Sequence, residues 1–167
     1  MAPLTIPTVL SFGRIEGLGR TNVIPDEVTI QGTIRTFDED WRAKTHQLIK
    51  EISVNTCKAF GAEADVFVDK GYPYVVNDED VTMHSLQWAS EYLGPDFVKP
   101  LDLRMTAEDF AYFSHRVPSC LYRIGIDFPE SDKILNLHTA TFNLHEEALE
   151  NSMAVMSWLT LNWLSHK

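Results

Sequence analysis

Apolar and polar positions alternate cleanly through "VTIQGTIRTF": Val28, Ile30 and Ile34 fall on one side, and Thr29, Gln31, Thr33 and Arg35 on the other. A period of two belongs to a strand with one buried face, which puts Arg35 on the polar face. The earlier run Thr8 to Ile15, "TVLSFGRI", is apolar and extended. Between the two lies "GLGRTNVIPDE", rich in turn residues at Gly17, Gly19, Asn22 and Pro25. The spacing then becomes helical, with Trp41, Leu48, Ile49, Ile52 and Ala59 recurring after a capping Asp38 and ahead of a terminating Gly61. "AEADVFV" returns to alternation. The pattern therefore predicts strand, strand, helix, strand: a small antiparallel sheet with a helix on one face. One helix covers a three-stranded sheet poorly, so this layer looks incomplete.

"GYPYVVNDED" breaks the periodicity with Gly71, Pro73 and an acidic cluster, and reads as a domain junction. A second helical pattern follows from about Asp80 to Leu93 and stops at Gly94-Pro95. In "RMTAEDFAYFSHRVP", Thr106 followed by Asp109 fits a capping box and predicts a short helix ended by Pro118. "SCLYRIGI" predicts a short apolar strand. Asn143 followed by Glu146 fits an N-cap, with a helix running on to about Leu164. Val155, Met156, Trp158, Leu159, Leu161, Trp163 and Leu164 wrap most of that helix. A helix apolar nearly all round expects burial on more than one side, and the chain offers few elements to provide it.

Composition narrows the range of partners. The 167 residues are 44% apolar, enough for a packed core, and carry a formal charge of −10. So acidic a surface repels phosphate backbones and argues against nucleic acid. No run approaches the roughly 18 to 20 uninterrupted apolar residues of a membrane span. The N-terminus lacks a basic-then-apolar leader, so a cytoplasmic location is expected. Cys57 and Cys120 are far apart in sequence, one in a helical and one in a strand pattern, and read as free buried thiols.

None of the six histidines forms a self-contained zinc motif. His46, His84 and His115 fall at polar positions of helical patterns and read as surface or satisfied side chains, and His166 lies at the terminus. His145 would be the second residue of the last helix. His138 lies in the loop before it, where α/β proteins commonly keep ligands. A lone histidine still cannot fill the three or four protein positions of a zinc site. Glu108 and Asp109 fall in a predicted helix first turn, where negative charge is favoured without any catalytic role.

Three segments together resemble one family. "TNVIPDEVTIQGTIRTF", "MTAEDFAYF" and "LHTATFNLHEEAL" occur in the order and at distances similar to those of the zinc-dependent peptidases and amidohydrolases that include aminoacylase, hippurate hydrolase, auxin-conjugate hydrolases and carboxypeptidase G. The amidohydrolase branch is the most similar, through Met105 to Phe110 and "YPYVVND". The resemblance implies a mixed α+β and α/β architecture. Residues 1–75 would be the later part of a ferredoxin-like lid that makes a homodimer, and residues 76–167 the C-terminal segment of the α/β catalytic domain. It implies two zinc ions, or another divalent metal, in the complete enzyme, with His138 as the final metal ligand. Metal-bound hydroxide would cleave the amide bond of an N-acyl amino acid or small peptide, and a glutamate would be general base. Glu108 is the one candidate for a catalytic carboxylate in this chain. Asn22 and Arg35 match positions that bind substrate, Arg35 suiting a free carboxylate. For Asn22 the alternative is a turn residue tolerating unusual backbone angles.

The departures bear on activity. The family's His-x-Asp or Cys-x-His element, its paired glutamates and a further ligand are absent, Ala140 stands where proline is frequent, and His145 where aspartate is. The chain alone is therefore expected to be inactive and not to retain the metals. The competing expectation is a non-catalytic binding or dimerisation module derived from such an enzyme.

Overall fold

The computed structural model describes residues 5–128 and 137–166. The chain divides into two units. One comprises the residues up to Tyr74 together with Leu103–Ala111; the other comprises Val75–Asp102 and the residues from Tyr112 on.

The first unit is built on an antiparallel hairpin of β1 (Thr8–Glu16) and β2 (Thr29–Thr36). The register runs from Thr8 opposite Thr36 to Glu16 opposite Thr29, with a bulge between Phe12 and Arg14. The extra residue, Gly13, explains how one strand can carry "LSFGRIE" and still match its partner. It shifts the alternation by one, so that Ile15 faces Ile30 while Arg14 and Glu16 join Gln31 and Thr29. The polar face is then tied together by Ser11 and Thr33 hydroxyls 3.2 Å apart, by Arg14 donating to Gln31 at 3.3 Å, and by an Arg14–Glu16 ion pair at 2.7 Å. Gly32 sits opposite Phe12, and a β-carbon there would lie 2.4 Å from the Ser11 carbonyl oxygen and 2.7 Å from the Phe12 ring.

Helix α1 (Glu39–Ala59) starts as the sequence predicts: the Asp38 carboxylate accepts from the Trp41 amide at 2.7 Å. Gly61 follows the helix with φ +74°, and the Ala62 amide returns to the Cys57 carbonyl. The Trp41 indole donates to the Thr8 hydroxyl at 2.9 Å and joins α1 to the start of β1. Arg42 is buried. Its guanidinium donates to the carbonyls of Lys70 (2.6 Å) and Tyr72 (2.8 Å) and forms an ion pair with Glu39, clamping the 70–72 segment onto α1.

The second unit is centred on α2 (Glu79–Leu93) and α4 (Glu147–Ser165). Trp88, Val155 and Leu159 form its core, flanked by Ala89, Leu93, Tyr122, Trp158 and Trp163. The Trp158 indole donates to the Trp88 carbonyl at 3.0 Å, so the flanking tryptophan's polar edge is satisfied across the helix pair. His166 is more than a frayed end. Its ring packs edge-on against Trp88 and Trp163, and its amide returns to the Asn162 carbonyl.

Four expectations are corrected. "AEADVFV" forms no strand, because no described segment pairs with it; Phe67 is 89% exposed. Alternation favours an extended backbone but cannot supply the neighbour whose amides complete a ladder. "SCLYRIGI" is likewise extended without a ladder, since the Asn77 side chain occupies both backbone groups of Leu121, at 3.0 and 2.9 Å. The short helix begins at Ala111, not near Thr106, and spans only α3 (Ala111–Ser114). Asn143 does not cap α4: its side chain accepts from the adjacent Leu144 amide, and the helix starts at Glu147. His145 therefore precedes the helix, its amide donating to the Ile126 carbonyl and its ring lying against Phe128.

Candidate functional site

In the first unit, Asn22 stands at the tip of the hairpin loop. Arg20 and Val23 exchange backbone hydrogen bonds at 3.0 and 3.1 Å, which leaves Thr21 and Asn22 as the two central residues of a tight turn. The turn edges an open concavity of about 580 Å³ lined by Gly17 and the run from Gly19 to Pro25. Among the described residues His138 alone, glycines aside, has positive φ. Asn22 therefore occupies its turn without the left-handed backbone that often selects asparagine, and the conformational explanation for it loses its force.

Arg35 lies at the opposite end of the same hairpin, paired with Val9, and is exposed. Its guanidinium donates to the Met105 carbonyl at 3.0 Å. Thus the polar-face position meets the first seven residues of "MTAEDFAYF" in one unit, while Tyr112 and Phe113, which end that motif, belong to the other. Glu108 belongs to that same segment, half-buried, with its carbonyl accepting from the Ala111 amide at 3.2 Å. Along the hairpin, Arg35 and the Asn22 turn are separated by the length of β2, roughly 20 Å at strand rise. The structure does not bring them together within one copy.

His138, in the second unit, is exposed in the turn preceding α4, with φ +64°. The left-handed region costs a β-carbon-bearing residue roughly 1–2 kcal/mol, and such strain concentrates at functional positions. Beside it the Phe142 amide donates to the Thr139 carbonyl at 3.1 Å, closing the turn. Leu135 and Asn136, which open the His138 segment, lie outside the described residues.

The described residues do not fit a complete dinuclear centre. Among them no group of three or more His, Cys, Asp or Glu side chains is placed to hold a metal ion. His138 offers one donor where three or four protein ligands are needed. Cys57 and Cys120 are free and half-buried. His46, read as a surface histidine, has its pKa lowered, first by burial and then by the Arg42 guanidinium.

Comparison with known proteins decides the family. The chain is 34% identical over 145 residues to an N-acetyldiaminopimelate deacetylase of Enterococcus faecalis, covering 86% of this chain and 37% of the relative. A thermostable carboxypeptidase of Saccharolobus solfataricus is 30% identical, with 86% of this chain and 36% of the relative covered. The chain belongs to the M20 family of amidohydrolases and peptidases. Solved structures agree with this. A protein of methicillin-resistant Staphylococcus aureus, provisionally assigned as an aminohydrolase, superposes with TM-score 0.75 at 26% identity over 98% of this chain and 42% of its own. The Bacillus subtilis YXEP protein, described as a dinuclear metal-binding peptidase of the M20 family, shares the fold with TM-score 0.69 at 23% identity over 96% of this chain and 43% of its own. No family model matches the chain. The 167 residues span about two fifths of the length of these M20 relatives, and the mixed α/β architecture is theirs.

Proposed function

We infer that these residues are the lid portion and the C-terminal catalytic segment of a metal-dependent hydrolase that cleaves amide bonds of N-acyl amino acids or small peptides. The observation that supports this is the left-handed turn at His138, the residue that the resemblance makes a metal ligand, in a chain related to amide hydrolases. His138 would contribute one ligand to a zinc pair, with the remaining donors supplied from outside the described residues. Arg35 would take the substrate carboxylate and Asn22 a second polar group.

Because Arg35 and Asn22 stand at opposite ends of one hairpin, a site using both needs two copies, with Asn22 delivered by a partner lid. The apolar hairpin face supports such pairing: Phe12 is 59%, Ile15 68% and Ile30 57% exposed.

One observation favours the second reading, a non-catalytic dimerisation module: the lack of a metal cluster among the described residues. The test compares N-acetyl amino acid hydrolysis by the 167-residue chain with that by the same chain joined behind the upstream part of the Enterococcus faecalis relative. The lone chain should be inactive with or without added zinc. The joined protein should be active and should lose activity with His138→Asn. Two tightly bound zinc ions on the lone chain would overturn the proposal. A folded, metal-loaded but inactive joined protein would favour the module.

A further inference from the structure

We propose that Arg35 is a clasp that holds the Leu103–Ala111 segment, and with it Glu108, on the first unit until a carboxylate competes for the guanidinium. This rests in part on the reading of Arg35 as a carboxylate receptor. The segment's path is unusual: Leu103–Ala111 clusters with the first unit, although the chain on both sides of it belongs to the second. A nine-residue excursion needs anchoring, because its ends are fixed elsewhere and its fourth to sixth residues form no regular structure. Arg35 provides an anchor across seventy positions of sequence, with Nη1 donating to the Met105 carbonyl.

The same contact spans a small groove of about 60 Å³, lined by residues 34–37, by residues 105–107, and by Glu39, Arg42 and residues 72–74. Thr36, on the groove, is 7% exposed, and its hydroxyl has no hydrogen-bond partner. A buried hydroxyl left unmatched costs free energy and is rare in a groove that stays closed. It fits a groove built to take a polar group when the clasp opens. A neutral carbonyl is also a weak competitor for a guanidinium. A carboxylate offers two charged acceptors in the matching geometry, so it displaces Met105. Binding and release of the segment then become one equilibrium, shifted by the carboxylate's preference for the open state.

Trypsin reads this equilibrium directly, because the bond between exposed Arg104 and half-buried Met105 adjoins the clasp. Cleavage after Arg104 is measured against cleavage after Arg20, in the hairpin loop, on the 167-residue chain. Arg35→Ala should raise the ratio roughly three- to ten-fold, the range expected from losing one exposed hydrogen bond to a charged donor. Arg35→Lys, which keeps one donor, should restore part of the protection. Saturating N-benzoylglycine, with binding verified by calorimetry, should raise the ratio in the wild type and leave Arg35→Ala unchanged. An unchanged ratio in Arg35→Ala, with the helical circular dichroism intact, overturns the clasp. A ratio that stays level or falls while N-benzoylglycine binds the wild type overturns the coupling. Failure of N-benzoylglycine to bind counts against the carboxylate-receptor reading, while the Arg35→Ala and Arg35→Lys arms still decide the clasp.

Discussion

At the scale of single residues, the side chains that organise the first unit are charged. Arg42 serves two backbone carbonyls and Glu39 at once, and it is buried while doing so. Removing it leaves Glu39 partly buried without its counter-charge and releases the 70–72 segment. Arg42→Ala should therefore cost on the order of 2–4 kcal/mol in urea unfolding, with Arg42→Lys intermediate because an ammonium cannot fork between the same acceptors. His46, one turn further along α1, gives a pH signature. Its folded pKa lies below the ordinary 6.5 because burial and the Arg42 guanidinium both penalise the charged ring. The unfolded chain thus binds the proton more readily. The contribution is fully present above pH 6.5 and is lost as the pH falls through that value toward the folded pKa. Melting temperatures measured from pH 7.5 to 5 should fall more steeply for the wild type than for His46→Gln. Parallel curves would remove His46 from the account. The Asp38 cap could be read from sequence because capping is local. Arg42 could not, because its acceptors lie 28 and 30 residues away.

At the scale of elements, the hairpin shows how two glycines of one ladder differ. Gly32 is pressed against the opposing strand, whereas a β-carbon at Gly13 would meet nothing within 4 Å. Gly32→Ala should destabilise by about 1–3 kcal/mol, because the nearest atom is a backbone oxygen that cannot rotate away. Gly13→Ala should change stability by no more than about 0.5 kcal/mol. Equal losses at the two sites would show that the bulge, rather than the close approach, controls the ladder. The strands Thr8 to Ile15 and Val28 onward were legible because their patterns match each other across a turn-rich link. "AEADVFV" carries as clear an alternation, yet stays unpaired among the described residues. Likewise the Asn143 pattern is a sound cap signal, but the tie between His145 and the Ile126 carbonyl keeps the chain out of the helix there, and α4 starts three residues later than that cap predicts.

At the scale of the whole molecule, the acidic charge and the large exposed apolar area pull in different directions. Charge keeps copies apart at long range, while the hairpin face favours their contact. Light scattering at physiological salt should find a dimer. Phe12→Lys should return it to a monomer with its helical content unchanged. A wild-type monomer at high concentration would remove the composite site that joins Asn22 to Arg35. No described helix is long and apolar enough to cross a membrane, in keeping with the composition.

The amino-acid sequence by itself determined the local conformations: the alternation of β2, the cap and stop of α1, the stop of α2, the polar side on which Arg35 falls, and the motif set that marks the M20 family. These depend on residues within one or two turns of each other, so their physics is complete in a short window. Only the tertiary structure decided which extended segments pair, where α4 begins, that His138 sits in a left-handed turn, and that Arg35 reaches Met105. Each of these turns on a partner supplied from far along the chain, and no periodicity encodes the identity of that partner.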